Sequence, residues 1–416
     1  MRYWPVLLST VAALAVVVPV ARHFASADPG PGSAAKETTD APTDQNVVDP
    51  PALSGLQVNR MVVGRQEVTM PAAAGRLAHL TLDPDLQRAA NAQLRKLGIP
   101  SGAIVMMDLK SGRVITYASK TASGPFRDLC ASADQPAASV FKLITGTALV
   151  DWAKLTPDTK QCYRGGLHEV TQLDLEDNPA KDKWCSTIAD AMGRSLNAVF
   201  ARLALKNLDA GKLRATAAGY GFGTPPPFDL PVEPSKIDVP QGDLEFARTA
   251  AGFWNTTLSP VHAMMIAQTI ASRGEMLQPV LVSYVTDKDG NKIYRAPATP
   301  KTVRRAIRAE TADALRAMMD TTVATGTAYQ SFHDDAGRAF LPGIKVSGKT
   351  GTLTRASNGD FITWFVGYAG TEEPEIAFAT VVINRPTWQT KANTFTREML
   401  RVYYAARGAP GVTAPR

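Results

Sequence analysis

Apolar residues run from Trp4 to Ala21 with only Pro5, Ser9, Thr10 and Pro19 breaking the run, and Arg2 precedes it. Such a stretch reads as an export signal, with Ala25-Ser26-Ala27 as a cleavage site, or as a retained anchor approaching the roughly 17 to 25 residues that a bilayer requires. Residues 1–27 are therefore expected to be a signal peptide or membrane anchor. Both readings put the rest of the chain outside the cytoplasm, in the periplasm or on the outer face of the cytoplasmic membrane. Residues 28–51 hold Pro, Ala, Gly, Asp and Thr with few large apolar side chains, the composition of a flexible linker. Residues 52–75 follow as a short N-terminal segment, within which Gln57 to Val63 is predicted as one strand.

From Arg76 the pattern becomes that of a folded domain. Leu77 to Leu82 alternates as a strand does. Asp83 then serves as N-cap, Pro84 as the first helical residue and Gly98 as a stop, framing an amphipathic helix from Pro84 to Leu97. A hairpin follows, Ala103 to Asp108 and Val114 to Ala118, turning at Lys110-Ser111-Gly112. A helix is predicted from Ala137 to Ala153, and two helices meet near Gly193-Arg194. A Pro-rich loop covers Gly221 to Pro240. Ser259 and Pro260 open another helix that ends at Gly274, a hairpin turns at Asp289-Gly290, and a helix spans Ala309 to Val323. Strands are predicted over Lys345 to Thr352, Ile362 to Tyr368 and Ile376 to Ile383, then a last helix over Ala392 to Ala406. Helices in the middle with strands at both ends predict an α/β layer fold whose sheet is assembled from distant segments. The domain is expected to occupy residues 76–407, with 408–416 a disordered tail.

Composition narrows the class. The chain has 416 residues, 45% hydrophobic and 20% charged, enough for a sizeable core. Its net charge of +7 comes from 45 basic against 38 acidic residues that are scattered rather than clustered. That pattern suits a mild attraction to anionic membrane or wall polymers and argues against nucleic acid as a partner. Cys162 and Cys185 flank a stretch rich in charge and turn residues. In an oxidising compartment they are expected to close that loop, worth about 3 kcal/mol in the chain-entropy model, although Cys130 is an alternative partner. His23, His79, His168, His262 and His333 show no metal-ligand spacing, so no metal is expected. Asp174, Glu176 and Asp177 read as a solvated acidic loop.

Three short motifs carry chemistry. In Ser139-Val140-Phe141-Lys142 the serine and lysine share one helical face, so a buried lysine can take the proton of a nucleophilic serine. Ser195-Leu196-Asn197 falls between two helices. A hydroxyl there can relay a proton to a leaving amine, and the amide can bond both a lysine and a substrate carbonyl. Lys349-Thr350-Gly351, followed by Thr352, lies on a strand. Its lysine and threonine suit a substrate carboxylate, its glycine a close backbone approach, and the Thr352 amide the reacting carbonyl. Taken singly, each has an ordinary reading as a helix cap or a surface turn. Their order, and the element on which each falls, make one constellation.

That constellation resembles the transpeptidase domain of penicillin-binding proteins. Leu80-Thr81-Leu82-Asp83-Pro84-Asp85-Leu86-Gln87 is similar to the segment that opens this domain in the larger members. Gln135-Pro136-Ala137-Ala138-Ser139 approximates their Pro-Gly-Ser approach to the nucleophile, with Ala for Gly. Trp364-Phe365-Val366-Gly367-Tyr368 is similar to the strand that follows Lys-Thr-Gly. The resemblance covers roughly Arg76 to Ala406. It implies an antiparallel sheet flanked by helices, plus an all-helical subdomain carrying part of the site. It implies Ser139 as nucleophile, Lys142 as base, Ser195 and Asn197 as proton relay and positioning group, and Lys349, Thr350, Gly351 and Thr352 as substrate-binding residues. It further implies peptidoglycan stem peptides as substrates, β-lactams as covalent ligands and no cofactor; because only about 50 residues separate the apolar segment from the domain, too few for a glycosyltransferase domain, a separate protein is expected to polymerise glycan. The membrane would be contacted only through an uncleaved N-terminal segment. D,D-Carboxypeptidase, β-lactamase and non-catalytic scaffold are the alternatives. For the second of these, Glu233 and Glu245 lie in the allowed interval without a supporting motif.

Overall fold

The computed structural model describes residues 51–122, 124–166, 168–355, 358–386 and 390–415. The expected signal or anchor, and the linker up to Pro50, lie outside them. Among the described residues no helix is long and apolar enough to cross a membrane.

The centre is a five-stranded antiparallel sheet. Strands β1 (Ser101–Asp108) and β2 (Val114–Lys120) form its first hairpin, and β3 (Lys345–Thr354), β4 (Phe361–Gly370) and β5 (Ile376–Asn384) come from the far end of the chain. The spatial order is β3-β4-β5-β1-β2. Ile376↔Asp108 through Ile383↔Ser101 join the two ends of the sequence. The alternation of a strand divides the sheet's side chains between two cores. Ala103, Val105, Met107, Trp364, Val366 and Val381 enter one. Ile104, Met106, Phe365, Phe378 and Val382 enter the other. Helices α1 (Pro84–Lys96) and α9 (Ala392–Ala406) cover the second face, through Leu86, Ala90 and Leu94 and through Phe395, Met399 and Tyr403. With both faces covered, β1 is buried along its length except at its ends, and the sequence shows an unbroken apolar run there.

The first core is closed by helices from the middle of the chain: α2 (Lys142–Ala153), α3 (Ile188–Arg194), α4 (Asn197–Asn207), α5 (Ala210–Tyr220), α6 (Asp243–Ala250), α7 (Pro260–Ala271) and α8 (Ala309–Ala324). Asp83, Ser259 and Pro260 cap as expected: Asp83 accepts from the amides of Asp85 and Leu86, and Ser259 from that of His262.

Three expectations need correction. Gln57 to Val63 is not one strand. It is a 3-10 turn, Val58–Arg60, followed by the short strand Val62–Val63. That strand, Val68–Pro71, Leu77–Leu80 and the hairpin Val282–Thr286/Lys292–Arg295 make a second sheet, so residues 52–75 are not a separate segment. The tail is packed as well. Val412 is buried, and Arg401 donates to the carbonyl and hydroxyl of Thr413.

The acidic loop is exposed in part and anchored in part. Lys160–Tyr163 and Trp184–Thr187 form a hairpin in which Cys162 stands opposite Cys185, and the two are joined as a disulfide. Cys130 is the buried free thiol. Glu176 and Asp177 are exposed, as a solvated loop requires, whereas Asp174 is buried and the loop is anchored from below. Arg202 of α4, fully buried, donates to both carboxylate oxygens of Asp182 at 2.7 and 3.1 Å, and to the carbonyls of Asp174 and Cys162. Asp177 lies 3.4 Å from Arg202 and also pairs with Lys206. Asp174 closes a capping box with Thr171.

The hydrogen bonds from Arg202, above all, hold the Asp182 carboxyl well below the usual carboxylate range. A depressed carboxylate adds stability above its unfolded pKa, and that stability drains away as the pH falls through the folded value. Arg202→Met removes two of the bonds to the Asp182 carboxylate, leaving Arg164 at 3.0 Å, and is expected to cost about 3 kcal/mol in denaturant melts at pH 7. Wild type should lose more stability than the variant on acidification below about pH 4. Parallel curves would show that the pair does not couple as described.

Candidate active site

The nucleophile turn is set by backbone geometry. The helix predicted from Ala137 breaks into a 3-10 turn, Ala138–Phe141, before α2 begins at Lys142. Ala138 takes a left-handed conformation, φ 50°, where a residue with Cβ is strained by about 1–2 kcal/mol. Glycine would occupy it without strain, which accounts for the Gly that the resemblance places before the serine. The Trp364 indole donates to the Pro136 carbonyl at 2.9 Å and fixes the approach. Gly252, φ 82°, lies against the carbonyl of Ala138, closer than any side chain would permit. On the opposite side, a Cβ on Gly351 would stand 3.2 Å from Val140 and 3.3 Å from Ala138. The absent side chain of Gly351 thus lets the nucleophile turn seat on β3, a role in addition to the close substrate approach that the sequence suggests.

Lys142 is fully buried at the start of α2. Its Nζ lies 2.8 Å from Ser139 Oγ, 2.7 Å from Asn197 Oδ1 and 2.5 Å from the Ala251 carbonyl. Three acceptors would favour an ammonium. Burial opposes it more strongly, and the neighbouring Lys349 adds repulsion, so the Lys142 amine titrates well below an ordinary lysine. In the neutral form two N–H bonds still serve Asn197 and Ala251, and the lone pair faces the serine hydroxyl.

The second motif is delivered by the break between α3 and α4. Ser195 is left-handed, φ 59°, which turns its side chain inward. Ser195 Oγ accepts from Lys349 Nζ at 2.9 Å, and that Nζ also donates to the Thr350 carbonyl. Lys349 is fully buried, and burial brings its pKa to about 7. It was expected at a substrate carboxylate. It stands behind the site against Ser195, while Thr350, Gly351 and Thr352 line the cleft.

The two motifs are locked by a second close approach. Gly193 and Gly326 meet where α3 abuts the end of α8, and a Cβ on either would overlap the other segment. The Thr327 amide and hydroxyl donate to the Gly193 carbonyl, and its hydroxyl lies 2.6 Å from that of Thr350.

All eight expected residues therefore converge on one cleft of about 540 Å³, with Lys142 and Lys349 in its floor. The penicillin binding protein transpeptidase domain family matches residues 102–401. The chain belongs to that family. Curated relatives include the peptidoglycan D,D-transpeptidase PbpA of Mycolicibacterium smegmatis, 25% identical over 337 residues, a match covering 73% of this chain and 66% of PbpA. Stage V sporulation protein D of Bacillus subtilis is 25% identical over 328 residues, covering 73% of this chain and 49% of that protein. The chain thus spans about half to two thirds of the length of these relatives. The fold is shared with the D,D-transpeptidase domain of a peptidoglycan glycosyltransferase from Eggerthella lenta (TM-score 0.65, 24% identity, 80% of this chain and 83% of that one). It is shared too with penicillin-binding protein A of M. tuberculosis in its imipenem acyl-enzyme complex (TM-score 0.65, 22% identity, 79% of each chain). The α/β transpeptidase fold expected from the sequence is the fold observed.

Several lining residues carried no motif signal: His168, Arg194, Phe253, Thr327 and Lys391. Each comes from a loop or helix end whose place depends on packing between distant segments. Glu233 and Glu245 lie elsewhere. The first accepts from the Ala133 amide, and the second pairs with Arg248.

The buried lysines have a stability signature. The folded pKa of Lys349, about 7, lies below the value of about 10.4 in the unfolded chain. Between those values the unfolded state holds a proton that the folded state does not, so wild-type stability rises with pH. Lys349→Met removes this dependence. Its stability relative to wild type should fall from pH 7 to pH 10, by at most about 1.4 kcal/mol per pH unit. A difference independent of pH would contradict a buried, titrating Lys349.

Proposed function

We propose that this protein is a peptidoglycan D,D-transpeptidase working outside the cytoplasmic membrane through a serine acyl-enzyme. The observation that carries the reading is the contact of the fully buried Lys142 amine with Ser139 Oγ at 2.8 Å, with no carboxylate of the described residues bonded to that amine. A lysine so placed is a base, because its charged form is the costly one.

The arrangement of these residues supports the following steps. A stem peptide ending in D-Ala–D-Ala lies along β3, its terminal carboxylate toward Thr350 and Thr352, with Lys349 adding positive potential from below. Ser139 Oγ attacks the penultimate D-alanine carbonyl while Lys142 takes its proton. The oxygen that gains charge is held by the amides of Ser139 and Thr352, a contribution of several kcal/mol in such sites. Asn197 holds the donor backbone and Lys142 together. D-Alanine leaves with a proton passed through Ser195, whose hydroxyl is oriented by Lys349. An amine of a second stem peptide then attacks the ester, and the cross-link is formed. A separate protein would supply the glycan strands, and the N-terminal segment, if retained, would hold the enzyme at the membrane.

A β-lactam would acylate Ser139 as the donor does. The imipenem acyl-enzyme of the M. tuberculosis neighbour supports this reading. Release of the drug needs a base poised over the ester with water beside it. Among the described residues lining the cleft there is no Asp or Glu, which disfavours the β-lactamase alternative.

Fluorescent penicillin is expected to label the full chain, and Ser139→Ala to abolish labelling. Lys142→Arg keeps a cation that cannot act as base, and should slow acylation at least about a thousandfold. The acyl-enzyme should outlast removal of excess drug in intact-mass measurements. Recovery of free enzyme within seconds would mark a β-lactamase. With a stem-peptide donor and a diamino acceptor, mass spectra should contain the cross-linked product. Exclusive hydrolysis would make the enzyme a carboxypeptidase.

A further inference from the structure

Helix α2 carries the buried Lys142 at its first residue and an exposed tryptophan near its last. Trp152 stands ten residues beyond Lys142, about 15 Å along the helix axis, and 52% of its surface is open. It borders a second cavity, of about 430 Å³, that shares no lining residue with the catalytic cleft. The walls come from three segments: the end of α2, one face of α5, and residues 306–308 ahead of α8.

The indole is held in one orientation. Its Nε1–H donates to Thr216 Oγ1 at 3.2 Å, and the Thr216 hydroxyl in turn donates to the Lys212 carbonyl at 2.9 Å. With its one N–H committed to α5, the ring can offer a ligand only its face or an apolar edge. Ala215 and Gly219, a turn apart on α5, line the same cavity and bring no side chain longer than a methyl. Polar groups lie beside the ring. Asp151 Oδ1 accepts from Arg308, at 3.1 and 2.7 Å, and from Thr311. Asp151 Oδ2 accepts from no described residue, so one carboxylate oxygen is left as an acceptor. Lys154, whose ammonium donates to the Asp151 carbonyl at 2.7 Å, and the half-exposed Arg308 supply spare donors.

These features select a class of ligand. A quaternary ammonium requires several aromatic walls, and here one ring stands with two cations. A purely apolar ligand would take water from Asp151, Lys154 and Arg308 and return no hydrogen bond. A strongly anionic one would face the open oxygen of Asp151. We propose that the Trp152 cavity is a glycan-binding site for an N-acetylated pyranose, separate from the catalytic cleft. The C–H face of the sugar stacks on the indole, its acetamide N–H donates to Asp151 Oδ2, and its carbonyl and hydroxyls accept from Lys154 and Arg308. The sugar class comes from the cavity; its assignment to the glycan strands that bear the stem peptides rests on the transpeptidase reading. A strand held here presents its own peptides to the cleft at raised local concentration, and one helix fixes the spacing of the two sites.

The test uses the full chain, with its six tryptophans 15N-labelled at the indole, and chitotetraose, a β-1,4-linked N-acetylglucosamine tetramer, as the probe. The Trp152 N–H resonance, identified by its loss in Trp152→Phe, is expected to shift saturably with the sugar. Affinity should fall about tenfold in Trp152→Ala and about threefold in Trp152→Phe, which keeps a smaller stacking face. Maltotetraose, which lacks acetamido groups, should bind about tenfold more weakly. Turnover gives a second readout. A D-Ala–D-Ala donor carried on an N-acetylated tetrasaccharide should show a KM about tenfold below that of the free peptide, and Trp152→Ala should erase that difference without changing kcat. Thermal midpoints identify a variant that fails to fold, and Trp152→Phe decides the matter if Trp152→Ala is one. A Trp152 signal untouched by chitotetraose overturns the site, as it would if this face seats another protein. Equal affinity for maltotetraose overturns the acetamido assignment. A KM difference that is absent in wild type, or that survives in Trp152→Ala, overturns the role in presenting peptides. Sugar binding by a chain that neither labels with penicillin nor consumes either donor leaves the site standing and defeats the transpeptidase reading.

Discussion

The site depends on one energetic imposition, a lysine amine buried without a carboxylate partner among the described residues. Moving an ammonium out of water costs several kcal/mol even after relaxation. A paired carboxylate would offset that cost and fix the charge. Lys142 has instead two neutral oxygens, from Asn197 and Ala251, and the serine that it serves. The proton is therefore easily surrendered, and a base is available without histidine or metal. Lys349, also buried with only neutral partners, raises the cost of a second positive charge nearby.

Holding such a group requires a scaffold whose elements cannot drift, and the fold supplies one from distant segments. The base is carried by a helix, the oxygen that orients it by the break between two others, and the carboxylate-binding strand by a sheet whose neighbours come from both ends of the chain. Close backbone contacts set the distances. Gly252 meets the nucleophile turn from one side and Gly351 from the other, while Gly193 and Gly326 seat the second motif against the end of α8, beside the Thr327 that bonds Thr350. At each of these positions a methyl group would open the cleft by a fraction of an ångström, enough to cost much of the rate in a preorganised site.

Much of this was legible in the sequence. Caps at Asp83 and Ser259, proline at the first helical position, and strand alternation gave most elements to within a residue or two, because those signals are local. The three motifs were legible by order and by element. The Cys162–Cys185 pairing was expected from the loop it brackets. The rest required tertiary information. Short strands at Val62–Val63 and Val68–Pro71 have meaning only as partners of Leu77–Leu80. Asp177 is exposed as expected, but Asp174 looked solvated because Arg202, which donates to its carbonyl, is 28 positions away (174 to 202). Lys349 looked like a carboxylate ligand because sequence shows its strand but not which face it takes. His168 looked isolated because nothing local reveals that it lines the cleft.

The most direct test of the account is the ionisation of Lys142 itself. Lysines carrying 13C at Cε can be followed by NMR across pH, with the Lys142 resonance assigned by its loss in Lys142→Arg. A titration midpoint well below the ordinary lysine value of about 10.4 would establish the neutral amine on which the mechanism rests. A midpoint at or above that value would mean that the buried lysine stays charged and cannot take the proton of Ser139.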